Sequence, residues 1–163
     1  MGKNGMIQRF RGSYDVKIDD RGRIKIPSKF LYVFDSMYGN DVYVTSLNGD
    51  YIMIYPIKVW GKVEEKIEGV GVFNPDLDEF SNLLSYWGTE TEIDSKGRVL
   101  IPPDLREISE INDSARIFGK ANYLIIWNEA NFKEKEMKEK FDKEKLYRVS
   151  RIINEFPTLS SDE

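Results

Sequence analysis

The chain contains neither cysteine nor histidine. Without cysteine it can form no disulfide and run no thiol chemistry, which suits a reducing cytoplasm. Without histidine it loses the commonest general base and the commonest metal ligand together. Catalysis would have to run on carboxylates, lysine, tyrosine or serine, so the expectation is that this is not an enzyme. No apolar stretch approaches the roughly 20 residues of a membrane helix, and no apolar segment behind Met1-Gly2-Lys3 marks a secretory signal. Walker loops, dinucleotide-binding glycine fingerprints and zinc-ligand spacings are missing too, and no cofactor or metal is expected.

What is present is an ordinary soluble composition, 40% hydrophobic and 32% charged, in 163 residues. That is enough for one compact domain or two small halves sharing a core. The net charge of −4 is unevenly spread. Residues 1–31 hold eight Lys and Arg against three Asp, a local +5, which leaves −9 for the remainder. A phosphate backbone responds to the local field, because screening limits its reach to roughly 8 Å in physiological salt.

The sequence also repeats itself. Ile18-Asp-Asp-Arg-Gly-Arg-Ile-Lys-Ile-Pro27 matches Ile93-Asp-Ser-Lys-Gly-Arg-Val-Leu-Ile-Pro102 at an offset of 75. Tyr51-Ile-Met-Ile-Tyr55 matches Tyr123-Leu-Ile-Ile-Trp127 at an offset of 72. The period assigns a first repeat to residues 8–56, a helical linker to 57–87, a second repeat to 88–128 and a C-terminal helix to 129–157. Within each repeat a strand enters an Asp-x-x-Gly turn, where Gly22 and Gly97 are free to take positive φ. A second short strand follows, and Pro27 or Pro102 stops it. A short helical turn comes next, then a closing hairpin, with Asn48-Gly49 as the strongest turn signal. The linker reads as two helices, 57–68 and one capped by Asn74 with Pro75 at its first position. Trp60, Trp87 and Trp127 fall on apolar stripes and are expected in the core or at interfaces. A single helix is expected from Glu129 to Phe156, with a sparse apolar stripe among alternating Lys and Glu. The class is therefore α+β, mainly strand.

In the turns, Asp19 and Asp94 can accept hydrogen bonds from turn amides and pair with Arg23 and Arg98. Arg21 and Lys96 stand at the tips. Arginine's planar fork matches guanine or phosphate, and a β-ribbon fits the major groove. Arg21 and Arg23 are the leading candidates for contact with duplex DNA, with Arg11, Lys17 and Lys25 adding phosphate contacts. Lys96 and Arg98 are weaker candidates, because Glu90, Glu92 and Asp94 surround them.

These motifs, with Phe10-Arg-Gly, Tyr55-Pro, Trp60 and Gly88-Thr-Glu, cover nearly the whole chain, and the sequence resembles the MraZ family. The resemblance implies two AbrB/MazE-like halves in a double-split, swapped-hairpin β-barrel and a ring-like homo-oligomer. It also implies a transcriptional regulator bound to repeated promoter boxes ahead of the division and cell-wall gene cluster, in the cytoplasm at the nucleoid. Two other readings stand beside it. One is an antitoxin-like protein-interaction module; the other is an enzyme using Asp19 and Asp94 as paired carboxylates.

Overall fold

A computed structural model describes residues 8–155. The proposed tail 158–163, the expected stop at Pro157 and Lys3 of the basic N-terminal stretch lie outside the described residues.

The first repeat runs through β1 (Ser13–Lys17), β2 (Arg23–Lys25), α1 (Ser28–Val33), a π-helical turn (Phe34–Tyr38), β3 (Asp41–Thr45) and β4 (Ile52–Pro56). The linker holds α2 (Ile57–Glu68) and α3 (Pro75–Tyr86). The second repeat supplies β5 (Thr89–Glu92), β6 (Arg98–Leu100), α4 (Pro103–Ile108), β7 (Ser114–Gly119) and β8 (Leu124–Trp127). The caps act as their chemistry requires. Asn74 accepts from the Leu77 amide at 3.0 Å, with Pro75 beside it where no amide is needed. Gly49 turns the β3–β4 hairpin at φ +83.

Six strands form one antiparallel sheet in the order β1-β7-β8-β4-β3-β5. That order is its own mirror under exchange of the repeats, with the pseudo-axis between β4 and β8. The terminal strands are traded: β1 of the first repeat pairs with β7 of the second, and β5 of the second with β3 of the first. β2 and β6, each also from a different repeat, make a separate two-stranded ribbon. The strands flanking the first turn therefore do not form a ladder with each other, apart from a single Ile18–Ile24 bridge. Their main partners lie in the opposite half. A closed barrel is not shown by these pairings, whose order ends at β1 and β5.

Alternation drives this arrangement, since period-two apolar residues must all reach one side. The core is built from repeat-related pairs, all fully or nearly fully buried: Ile24 and Val99, Ile26 and Ile101, Phe30 and Leu105, Val44 and Ile117. Each such side chain contributes roughly 1.5–3 kcal/mol of transfer free energy. The opposite sheet face is aromatic. Trp60 of α2 stacks on Tyr43 at 4.6 Å and meets Tyr55 at 5.0 Å, and Tyr55 stacks on Tyr123 at 4.4 Å. Trp60 and Trp127 are buried and Trp87 is half-buried against the core.

Residues 130–163 form a second unit, whose described part holds the remaining helices, and the single helix expected there needs correction. The segment is two helices, α5 (Glu129–Glu136) and α6 (Lys143–Glu155), separated by residues 137–142. Asp142 starts α6 afresh, its side chain accepting from the Lys145 amide at 2.8 Å. A short acid favours a cap over a helix interior because its side chain competes for backbone amides. Neither helix buries a residue.

Candidate nucleic-acid interface

The Asp-x-x-Gly-Arg segments fold into two copies of one turn. In the first, Asp19 Oδ1 accepts from the amides of Arg21 (3.0 Å) and Arg23 (2.9 Å), while Oδ2 accepts from Arg23 Nε at 2.8 Å. In the second, Asp94 Oδ1 accepts from the amides of Lys96 and Arg98, both at 2.9 Å, and Oδ2 from Arg98 Nε at 2.9 Å. The main chain closes each loop, Gly22 N to Asp19 O at 3.0 Å and Gly97 N to Asp94 O at 2.9 Å. Gly22 and Gly97 take φ of +83 and +76, a region where a side chain is strained.

Hydrogen bonding to the ionised form lowers both carboxyls below their ordinary 3.8. The Arg23 amide is the largest cause for Asp19 and the Arg98 amide for Asp94, with partial desolvation opposing. A general acid needs the reverse shift. The two turns also sit at opposite ends of the β2–β6 ribbon, so their carboxylates do not form a shared pair.

The ribbon positions the basic residues. Ile24 and Val99 point inward and are fully buried, so Arg23, Lys25, Arg98 and Leu100 share the outward face. Lys25 lies directly opposite Arg98, and Arg23 opposite Leu100. Two further bonds, Ile101 N to Gly22 O and Ile26 N to Gly97 O, both 2.9 Å, tie each turn to the other repeat's strand. From Gly22 to Ile26 the ribbon measures ~13 Å at strand rise, close to the ~12 Å width of the major groove of B-DNA. Arg21 and Lys96 are exposed, one near each end.

Each arginine bonds its aspartate through Nε, so its Nη groups are not used in that bond. An arginine so held loses less conformational freedom when a planar acceptor arrives. Lys25 donates from Nζ to the carbonyl of Lys96.

Not every expected residue joins this cluster. Lys17 ends β1 beside it, and with Lys25 and Lys29 lines a hollow of about 400 Å³ bounded by Tyr14 and Pro27. Arg11 sits at the far end of β1, roughly 26 Å of extended chain from Asp19. There it lines a separate hollow of about 520 Å³ with Arg9, Lys29 and Tyr32. Asp15 pairs with Arg116 at 2.8 Å, so part of the acidity in the basic stretch is neutralised.

Arg106 escaped the motif search. Its Nε donates to Ile101 O at 3.0 Å, and its guanidinium lies where a Gly22 side chain would be, 2.7 Å from an ideal Cβ. The repeat offset carried the signal. Position 106 answers to Leu31, which packs against Gly97 in the same way, and Leu100 answers to Lys25. The second turn is thus packed by Leu31 and Lys25 of the first repeat, and the first turn by Arg106 of the second, whose repeat mate is Leu31.

Two repeats that lend each other a strand, carrying paired Asp-x-x-Gly-Arg turns at the ends of a cationic ribbon, define a class: duplicated, pseudo-symmetric α+β proteins with a strand-built polar surface. Residues 88–148 match the family model described as "MraZ protein, putative antitoxin-like". The protein named transcriptional regulator MraZ from Acidobacterium capsulatum is 36% identical over 125 residues, covering 77% of this chain and 86% of that protein. The protein of the same name from Neisseria meningitidis serogroup A is 34% identical over 134 residues, covering 82% and 88%. That from Thiobacillus denitrificans is 30% identical over 123 residues, covering 76% and 83%. The chain belongs to the MraZ family.

Among the described residues no helix is long and apolar enough to cross a membrane, and no group of three or more acidic residues could hold a metal ion.

Proposed function

We propose that the chain is a transcriptional regulator that binds duplex DNA through the β2–β6 ribbon. One observation carries the reading: the outward ribbon face sets Arg23, Lys25 and Arg98 side by side, two of them held by aspartates at matched geometry. Arg21 and Lys96 reach the phosphates on either side, Arg106 adds charge at the first turn, and Lys17 and Lys29 extend the track. Arg11 contributes at longer range. The names of the relatives support the regulatory role.

In the finer form of this proposal, the strand exchange belongs to a swapped-hairpin, double-split barrel with repeats at 8–56 and 88–128. Several protomers form a ring whose ribbons engage repeated promoter boxes of the division and cell-wall cluster, in the cytoplasm at the nucleoid. Weak single contacts then multiply through effective concentration.

The test is binding to the promoter fragment of its own gene at rising salt. Log K falls by about 0.9 per phosphate neutralised, and the fragment is preferred over random duplex. A flat salt response, or no preference, overturns the reading.

A protein-docking role has its own support: Leu146, Val149, Ile152 and Ile153 of α6 are unburied. A stoichiometric protein partner recovered after nuclease treatment would favour it.

A further inference from the structure

The α2–α3 loop carries the most exposed aromatic side chain among the described residues. Phe73 is 82% exposed and Val72 is 73% exposed. Phe73 stands at the position before the Asn74 cap, where an apolar residue commonly packs against the fourth helical residue. That residue is Asp78, so the packing partner is missing. Around the apex acids predominate: Glu65, Glu68, Asp76, Asp78 and Glu79 are exposed, against the single exposed base Lys66.

The hollow at the start of β1 is its complement. Its volume is about 520 Å³, Phe30, Tyr32 and Val33 supply apolar lining, and Arg9, Arg11 and Lys29 supply the charge, with no acid among the lining residues. An acid-flanked apolar knob and a base-flanked apolar hollow lie on different surfaces of one chain. We infer that the Val72–Phe73 apex of one copy seats in the Tyr32–Val33 hollow of a second copy.

The contact is heterologous, so each copy both gives and receives, and repetition closes a ring or extends a filament. Charge complementarity fixes orientation: Asp76 and its neighbours face Arg9 and Lys29. The inference rests on the self-association contained in the proposed function and names the surface that performs it. Arg11 then serves the contact between copies more than DNA.

The experiment measures the mass of the full chain across a concentration series by sedimentation velocity. Phe73→Asp weakens association by about thirtyfold, the scale of a buried hot-spot aromatic, while circular dichroism stays unchanged because the side chain is exposed. Arg9→Glu also weakens it, and combining Arg9→Glu with Asp76→Lys restores it. Mixing the Phe73→Asp and Arg9→Glu proteins gives a complex of two and nothing larger, since only one good knob and one good hollow meet. A photo-crosslinking residue at position 73 joins peptides containing Arg9 or Tyr32 of another copy; crosslinks to DNA, to another protein or to residues 1–7 overturn the inference. An oligomer indifferent to Phe73→Asp overturns this contact alone. A wild-type chain that stays monomeric overturns the contact and the proposed assembly together.

Discussion

The ammonium of Lys25 donates to the carbonyl of Lys96, so a side chain from the first repeat caps the turn of the second. Its repeat mate, Leu100, has no such group, and the first turn is packed by Arg106. The ribbon is therefore a joint product of both halves. Removing the charge of Lys25 therefore alters the turn of the opposite repeat.

Lys25→Met keeps the aliphatic stem and removes the charge. DNA affinity falls, and the slope of log K against log salt drops by about 0.9. Arg23→Lys separates charge from geometry: the cation stays, but the Nε bond to Asp19 is lost. Its salt slope holds while affinity falls, and Arg23→Ala loses roughly 1–3 kcal/mol if the guanidinium reads a base. Fluorescence anisotropy at several salt concentrations distinguishes the three variants. Equal affinity for Arg23→Lys and the wild type would show that arginine's planar fork has no role.

Gly22→Ala and Gly97→Ala place a side chain in the left-handed region, at about 1–3 kcal/mol each. At Gly22 the new methyl also displaces the Arg106 guanidinium and breaks its bond to Ile101. At Gly97 it meets Leu31 and the Lys25 ammonium. Urea denaturation reads the loss. A change under about 0.5 kcal/mol would place these turns with ordinary surface sites.

Asp19 and Asp94 carry folded-state pKa values below the ordinary 3.8. A lowered acid contributes stability that is complete above the unfolded value and disappears as pH falls through the folded one. The two turns hold at neutral pH and let go only below about 3.8, where both carboxylates take up protons. The double variant Asp19→Asn, Asp94→Asn is less stable than wild type at pH 7, and the gap narrows as pH drops under 4. A gap constant from pH 7 to 2.5 would deny the lowered values.

Much of this was legible before any coordinates. The repeat, both glycine turns, the Asp–Arg pairs, the Asn48-Gly49 hairpin and the Asn74 cap all follow from local chemistry, and local chemistry is what a short window of residues reports. Partner choice was not legible. Alternation in Tyr14–Ile18 says which residues face inward, and nothing in it says that β7 is the neighbour. The break at residues 137–142 was missed because alternating Lys and Glu favours helix on both sides, while Asp142 acts at one residue only. Arg106 was missed because it reaches its site through folding, 84 residues along the chain from Gly22.

Because β1 and β5 change places, neither half can complete its own sheet. Two polypeptides cut within the linker would each present unpaired strand edges, prone to aggregate unless the other half is synthesised alongside. The same geometry describes the forebear of the duplication: a chain of about half this length would have found its missing strand in a twin. Within one chain that pairing is permanent, and the two turns are free to differ, as Lys25 with Leu31 and Leu100 with Arg106 do.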